Sequence, residues 1–317
     1  MDCLSKKPKV LEKDLAYTLH KPRRRRFPTL PVVVGGLDDQ WVADLIEVQP
    51  LAKYNNGIRY LLTVIDVLSK YAWVQPLKNK TGPTVVEALE SIVEEGRKPV
   101  RLQTNKGKEF YNMTVQTWLK QQGIQHFSTE GDAKASVVER FNRTIKQRLY
   151  RYFTAANTLE FDSQLQALVD GYNATPHRSI GMAPKQVTWK NEPAVWKRLY
   201  DKPQKKKRRP TLKKGDYVRL NKIYRTFEKA YTPGWTEEVF VVSRMLPGPL
   251  PAYKIKEWDD TPVGGTYYEE DLQKVRVADV FRVEKVLKRE KNRLWVKWKG
   301  WPDKYNSWVS TKDVKKL

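Results

Sequence analysis

From Asp38 onward the apolar and polar positions follow two successive periods. Trp41–Val48 reads as a strand, Ile58–Val67 is almost continuously apolar, as in a strand buried on both faces, and Tyr71–Leu77 extends the meander. Asn55, Asn56 and Gly57 supply hairpin-turn chemistry between the first two. The period then lengthens. Val85, Ala88, Leu89, Ile92 and Val93 share a helical face, with Thr81 placed as its N-cap. A strand at 99–104, a helix near 113–122 using Val115, Trp118 and Leu119, and a strand at 124–128 follow, and the small, polar Thr129–Ala135 reads as a mobile loop. Between Ser136 and Phe153, Val138, Phe141, Ile145, Leu149 and Tyr152 form the apolar stripe of a long helix. Glu139, Asn142, Arg143, Lys146 and Arg151 are assigned to one broad, mostly basic face of it.

Beyond residue 200 the helical period disappears. Pro203–Pro210 is a charged, proline-bounded stretch, and Lys213-Lys-Gly-Asp-Tyr-Val-Arg-Leu220 opens an all-β segment with strands at 239–245 and 253–258. Val280–Leu287, Leu294–Trp298 and Ser307–Val309 form a last group of strands, and the charged Ser310–Leu317 reads as a short helix. The chain therefore divides into a basic N-terminal arm (1–35), an α/β core (36–200), a basic linker (201–212), a small β module (213–276) and a terminal minidomain (279–317). The arm, with Pro22-Arg-Arg-Arg-Arg-Phe-Pro28, is expected to be solvated.

Composition narrows the partners. The chain has 317 residues, enough for two or three cores, and 60 Lys and Arg against 36 Asp and Glu leave a net charge of +24. Charge of that size implies a polyanion, with nucleic acid ahead of an anionic membrane. No apolar stretch approaches a membrane span and no signal-peptide pattern is present, so a soluble intracellular protein without a membrane partner is expected. The single Cys3 excludes an internal disulfide framework, and with His20, His126 and His177 scattered a conventional zinc finger is excluded too.

Three positions carry candidate chemistry. Asp44 stands in an apolar strand, where a carboxylate is costly to bury without a partner. Asn105 lies in Val100-Arg-Leu-Gln-Thr-Asn-Lys-Gly-Lys-Glu-Phe110, a strand ending in a polar turn at Gly107. Glu139 opens the basic helix in Ser136-Val-Val-Glu-Arg-Phe-Asn-Arg-Thr144. These positions resemble the Asp, Asp, Glu triad of retroelement integrases, with Asn at the middle position, and the element order resembles a ribonuclease-H-like domain. Tyr172-Asn-Ala-Thr-Pro-His-Arg-Ser-Ile-Gly-Met-Ala-Pro184 is similar to the signature that follows the catalytic helices in that family, although His177 alone reads as a satisfied structural histidine. The Lys-Gly-Asp-x-Val-Arg opening resembles an SH3-like barrel. Val283–Val286, Val296-Lys-Trp-Lys-Gly-Trp-Pro302 and Asn306-Ser-Trp-Val309 resemble a chromodomain. The combination is similar to integrases of Maverick (Polinton) DNA transposons, lacking the zinc-binding His-His-Cys-Cys domain expected upstream.

The resemblance implies two Mg²⁺ (or Mn²⁺) ions held by Asp44, Asn105 and Glu139, with DNA 3′ ends processed and joined to target DNA by two-metal transesterification. Asn105 removes one negative charge from that set, and Glu109 has its own place in the Gly-Lys-Glu-Phe pattern, so a DNA-binding protein with impaired catalysis is expected. Arg143, Lys146 and Arg151 would contact DNA. Phe281, Trp298 and Trp301 would form a cage for methyl-lysine on a histone tail, with Trp308 in the core and Tyr305 where histone-reading relatives often carry an acid. A homo-multimer assembled on DNA follows from the same resemblance, while Pro203–Pro210 reads either as a nuclear-import signal, with a nuclear location expected, or as a plain solvated linker. An active integrase that tolerates Asn105 and a host-recruited chromatin-binding protein remain alternatives; a ribonuclease H nuclease fits the C-terminal modules less well.

Overall fold

In the computed structural model the described residues are 15–24, 27, 32–128, 136–201, 209–222, 232–248, 250–276 and 281–314. The expected mobile loop at 129–135, most of the 201–212 linker and Val280 lie outside them. The chain forms two units, Pro31–Pro203 on one side and Met1–Leu30 with Gln204–Leu317 on the other. The helix α1 (Leu15–His20) belongs to the second.

In the first unit β1 (Gln40–Glu47), β2 (Tyr60–Asp66) and β3 (Ala72–Leu77) form the antiparallel meander. The expected Asn55–Gly57 hairpin is instead the end of a longer connection containing a 3-10 turn at Gln49–Tyr54. The reason is Asn55, whose buried amide is committed elsewhere: it donates to Leu51 O and Leu159 O and accepts from Phe161 N–H. Helix α2 (Gly82–Glu94) follows its Thr81 N-cap position, but the Thr81 hydroxyl bonds Asn79 and Thr84 rather than a helix N–H. β4 (Arg101–Thr104), α3 (Met113–Gln121) and β5 (Gln125–Ser128) then add two parallel strands, giving the sheet order β3-β2-β1-β4-β5. The long α4 (Ser136–Ala156) is followed by α5 (Leu165–Ala174) and α6 (Glu192–Tyr200).

Strand alternation sorts the core into two layers. Trp41 and Ala43 of β1 face a cluster with Val85, Leu89, Val115 and Leu119 from α2 and α3. Val42 and Ile46 face the other way, against Phe141, Ile145, Leu149, Val169 and Tyr172. Asp44 has the parity of Val42 and Ile46, so it is presented on the α4 side of the sheet.

The Tyr172-Asn173 signature has a structural part. Asn173, buried, accepts from Ala72 N at 3.0 Å and donates to Ala72 O at 2.8 Å, completing the backbone of β3 at the edge of the sheet. Asn173→Ala strands both groups without water, and a loss of about 2–4 kcal/mol is expected in urea denaturation. A loss within about 0.5 kcal/mol would show that the edge does not depend on this side chain.

The second unit contains two β modules. β6 (Tyr217–Leu220), β7 (Phe240–Leu246), β8 (Ala252–Lys256), β9 (Pro262–Tyr268) and β10 (Leu272–Lys274) form an antiparallel sheet ordered β10-β6-β7-β8-β9 over Val218, Phe240, Val242, Tyr253 and Ile255. β11 (Val283–Arg289), β12 (Arg293–Trp298) and β13 (Ser307–Ser310) make a second sheet with Val296 at its centre. Three expectations are corrected here. Residues 15–24 are not a solvated arm: Leu19 is buried, its carbonyl accepts from Gly234 N, and Lys21 O accepts the Trp235 indole N–H at 2.7 Å. Residues 311–313 form a turn rather than the start of a helix, because Thr311 N is tied to Asn292 O at 3.1 Å. Trp308 is 37% exposed rather than core, lying against Trp295 on an edge strand.

Candidate active site

Sheet register and helix periodicity bring the three sequence-predicted positions into one neighbourhood. β1 and β4 run parallel with Val42 opposite Gln103, and Asn105, the first residue past β4, reaches Asp44, two residues further along β1. Helix α4 then crosses the Asp44 face of β1 with its first turns. Asn142 Nδ2 donates to Asp44 Oδ2 at 2.9 Å, and the Glu139 charge is felt at Asp44. Burial holds the Asp44 carboxyl above the usual carboxylate range; Glu139 and Glu109 add repulsion in the same direction, while hydrogen bonds from Leu45 N–H and Asn142 oppose it.

Asn105 is held in a defined orientation. Its Oδ1 accepts Gly107 N–H at 2.7 Å, so the amide nitrogen is turned toward Asp44 Oδ1, 3.5 Å away. Flipping the amide would set two donors against each other at Gly107. Gly107 lies close against both side chains: a Cβ there would lie 2.6 Å from Asn105 Oδ1 and 2.1 Å from Glu109 Oε1, so these side chains would have to shift. Glu109, assigned a separate place in the motif, thus comes to the edge of the same site. A relay supports the turn from below. Gln116 Nε2 donates to both Phe110 O (3.0 Å) and His126 Nδ1 (2.6 Å), which leaves the proton on His126 Nε2 to bond Thr104 Oγ1 at 2.8 Å, and Thr104 in turn donates to Asn105 O at 2.8 Å. Burial lowers the His126 pKa, which favours this neutral form. The sequence marks His126 only as one scattered histidine; its role depends on β4 and β5 being neighbours.

This donor set does not fit a pair of divalent cations. Such ions require anionic or neutral oxygens turned inward. Here Asn105 offers Asp44 its N–H₂, its oxygen is taken by the backbone, and both Asp44 oxygens face amide nitrogens. Among the described residues no group of three His, Cys, Asp or Glu side chains is placed to hold a metal ion.

The expected DNA face is narrower than its sequence spacing suggests. Glu139, Asn142, Arg143, Lys146, Gln147 and Tyr150 line one open groove. Arg151 is absent from that lining, because at about 100° per residue it falls roughly 120° around α4 from Glu139. Asn142 is largely buried within that lining, its amide donated to Asp44. A second cavity, of about 400 Å³, collects Lys70, Arg140, Arg148, His177 and Arg178 with no carboxylate in its lining. Burial, reinforced by Arg140, lowers Lys70 to about 8 against the opposing pull of Asp66. His177 Nδ1 accepts Ser179 N–H at 3.3 Å, in keeping with a satisfied turn histidine.

The three aromatics expected to form a cage also converge. Phe281 lies edge-on to Trp298 and to Trp301, with ring centroids 6.1 and 5.8 Å apart. No helix among the described residues is long and apolar enough to cross a membrane.

Comparison with known proteins bears on the α/β domain and the fold. Residues 38–130 match the integrase core domain. A transposon-derived protein of Caenorhabditis elegans is 35% identical over 190 residues, covering 60% of this chain and 64% of that protein. The retrovirus-related Pol polyprotein from transposon 412 of Drosophila melanogaster is 29% identical over 154 residues, covering 48% of this chain but only 12% of the polyprotein. The chain thus spans less than two thirds of these relatives' own lengths. A solved intasome of simian T-cell lymphotropic virus, in complex with a PP2A regulatory subunit, shares the fold with a TM-score of 0.60 at 17% identity, over 84% of this chain and 89% of that one. The sheet order, the residue 38–130 match and these relatives identify a retroviral-type integrase core domain, ribonuclease-H-like in its α/β architecture, with transposon-derived homologues.

Proposed function

We propose that this protein is a nuclear, transposon-derived DNA-binding integrase of the Maverick (Polinton) type whose end-processing and strand-transfer chemistry is impaired at Asn105. The observation that carries this reading is the orientation of the Asn105 amide, which turns a hydrogen-bond donor toward Asp44 where the resembled triad has a carboxylate. Asp44 and Glu139 keep the outer positions of the triad, and the Glu139, Arg143 and Lys146 groove is the surface along which a DNA strand would run. The five-stranded and three-stranded modules are read as the SH3-like barrel and the chromodomain. Joining two DNA ends requires more than one active site, so the functional form is a homo-multimer assembled on DNA. Strand transfer by the full chain, with and without Asn105→Asp, tests the impairment.

DNA binding is tested separately. With a net charge of +24 the affinity for a duplex is expected to fall by orders of magnitude between about 50 and 200 mM salt if on the order of six to ten phosphates are contacted. Arg143→Ala and Lys146→Ala should each reduce the slope of log affinity against log salt by about 1, and Arg151→Ala by less, because it lies off the groove. Salt-independent binding, or an equal slope change for all three variants, would count against this surface.

A second reading, recruitment to chromatin, is favoured by the convergence of Phe281, Trp298 and Trp301. Three aromatic faces around a small opening attract a methylated ammonium, which has lost its hydrogen bonds to water. The outer edge of β11 carries no neighbouring strand among the described residues and could take an extended peptide by strand addition.

A further inference from the structure

The aromatic site is larger than the three residues of the terminal module. A cavity of about 240 Å³ is lined by Trp258, Phe281, Trp298, Trp301 and Tyr305. Trp258 comes from the turn joining β8 and β9 in the five-stranded module, closed by Glu257 N bonding Thr261 O at 2.8 Å. Its ring stands edge-on to Trp301 with centroids 6.3 Å apart, and its far side stacks on Tyr217 at 5.4 Å. Tyr305 is a further wall, its ring centroid 5.3 Å from that of Trp301. The walls are held in place: Trp298 Nε1 donates to Ser307 Oγ at 2.9 Å, and the Tyr305 hydroxyl donates to Glu257 at 3.1 Å.

The contact between the two modules is built from several independent pairs. Arg282 ion-pairs with Glu237, whose side chain is only 8% exposed. Lys304 bridges Glu257 (2.6 Å) and Asp259 (2.7 Å). Gly300, at φ +72°, lies where a Cβ would come within 2.8 Å of Glu237 Cβ, so the backbones approach closely.

We infer that the cation site is shared between the two modules, with Trp258 adding an aromatic wall to those of Phe281, Trp298 and Trp301, so that a fully methylated ammonium is bound more tightly by the docked pair than by the terminal module's three rings. This rests on the reading that Phe281, Trp298 and Trp301 hold a methylated lysine. Glu257, beside Trp258 in the chain, is paired with Lys304 rather than free to act as the acid missing at Tyr305. Its carboxylate already accepts from Tyr305 and Lys304, so a ligand N–H finds poor acceptors in the cavity. A trimethylated ammonium needs none and gains from every ring face.

The test uses the full chain and a short peptide carrying one trimethyl-lysine, the same peptide unmodified, and tetramethylammonium as a free cation. Wild type is expected to prefer the trimethylated peptide. Trp258→Ala should weaken that binding about 2- to 30-fold, the loss of one cation–π wall, and leave the unmodified peptide unchanged. Trp258→Leu, which keeps bulk without a π face, should show the same loss at an unchanged melting temperature, which separates recognition from docking. Tetramethylammonium bound as tightly as the peptide would assign the site to a free cation and overturn the peptide assignment. If Trp298→Ala loses affinity while both Trp258 variants bind like wild type, the shared site is wrong and the three-residue cage stands. If wild type itself shows no preference, the cage reading fails first and the shared site with it.

Discussion

Asn105→Asp is expected to raise strand transfer by about 10²–10³-fold over the unaltered chain, the size of effect that follows when one electrostatic group in a preorganised site is removed or restored. The substitution changes little in shape and much in charge. A carboxylate at this position would still accept Gly107 N–H through one oxygen and present the other toward Asp44, so an N–H₂ that now bonds Asp44 becomes an anionic ligand. Asp44→Asn or Glu139→Gln in the Asn105→Asp background should return activity to baseline. Robust strand transfer by the unaltered chain would overturn the impaired reading. Isothermal titration with Mn²⁺ provides a readout independent of turnover: the reverted chain should bind the ion more tightly than the unaltered one, and equal binding would argue that position 105 does not set the ligand field.

The largest stability effect is expected at Arg97. Its guanidinium donates to Asp38 at 2.6 Å and to Asp66 at 3.3 Å, and lies about 5 Å from the ring centroids of Tyr71 and Trp73. The Asp66 side chain is fully buried at the end of β2, with Ser69 N–H as a further donor at 2.9 Å. Burial pushes its carboxyl upward, and Arg97 opposes that. Removing one partner of a buried pair leaves a charge without compensation, and Arg97→Ala is expected to cost about 3–5 kcal/mol in equilibrium denaturation. The double variant Arg97→Ala with Asp66→Asn should recover part of the loss. Additive costs for the two changes would mean that the pair is not coupled and that Arg97 acts through its ring contacts alone.

Much of the α/β fold was legible as periodicity. The meander, the two parallel strands and α4 follow the alternation and the 3.6-residue stripe closely, because side-chain burial in a sheet or a packed helix is a local consequence of backbone geometry. The limits of that logic are equally physical. Asn55–Gly57 has hairpin composition, yet Asn55 is spent on Leu51, Leu159 and Phe161, two of them far along the chain. Spacings of three to five residues put Arg151 on the Glu139 face only while small angular steps are not summed; over three turns they carry it away. Asp66 ends an apolar run, and nothing nearby in sequence announces Arg97 as its partner.

The candidate sites divide along the same line. Sequence by itself determined that Asp, Asn and Glu stand at 44, 105 and 139, that the chain is strongly basic, and that three aromatics stand at 281, 298 and 301. These are matters of residue identity, charge and local order. Only the tertiary structure decided which way the Asn105 amide points, that Glu109 reaches the same edge, that Asn142 is spent on Asp44, that residues 15–24 dock rather than float, and that Trp258 joins the aromatic pocket. Each depends on atoms brought within a few ångströms from distant positions, where the direction of a hydrogen bond or the facing of a ring is set by packing and has no counterpart in local pattern.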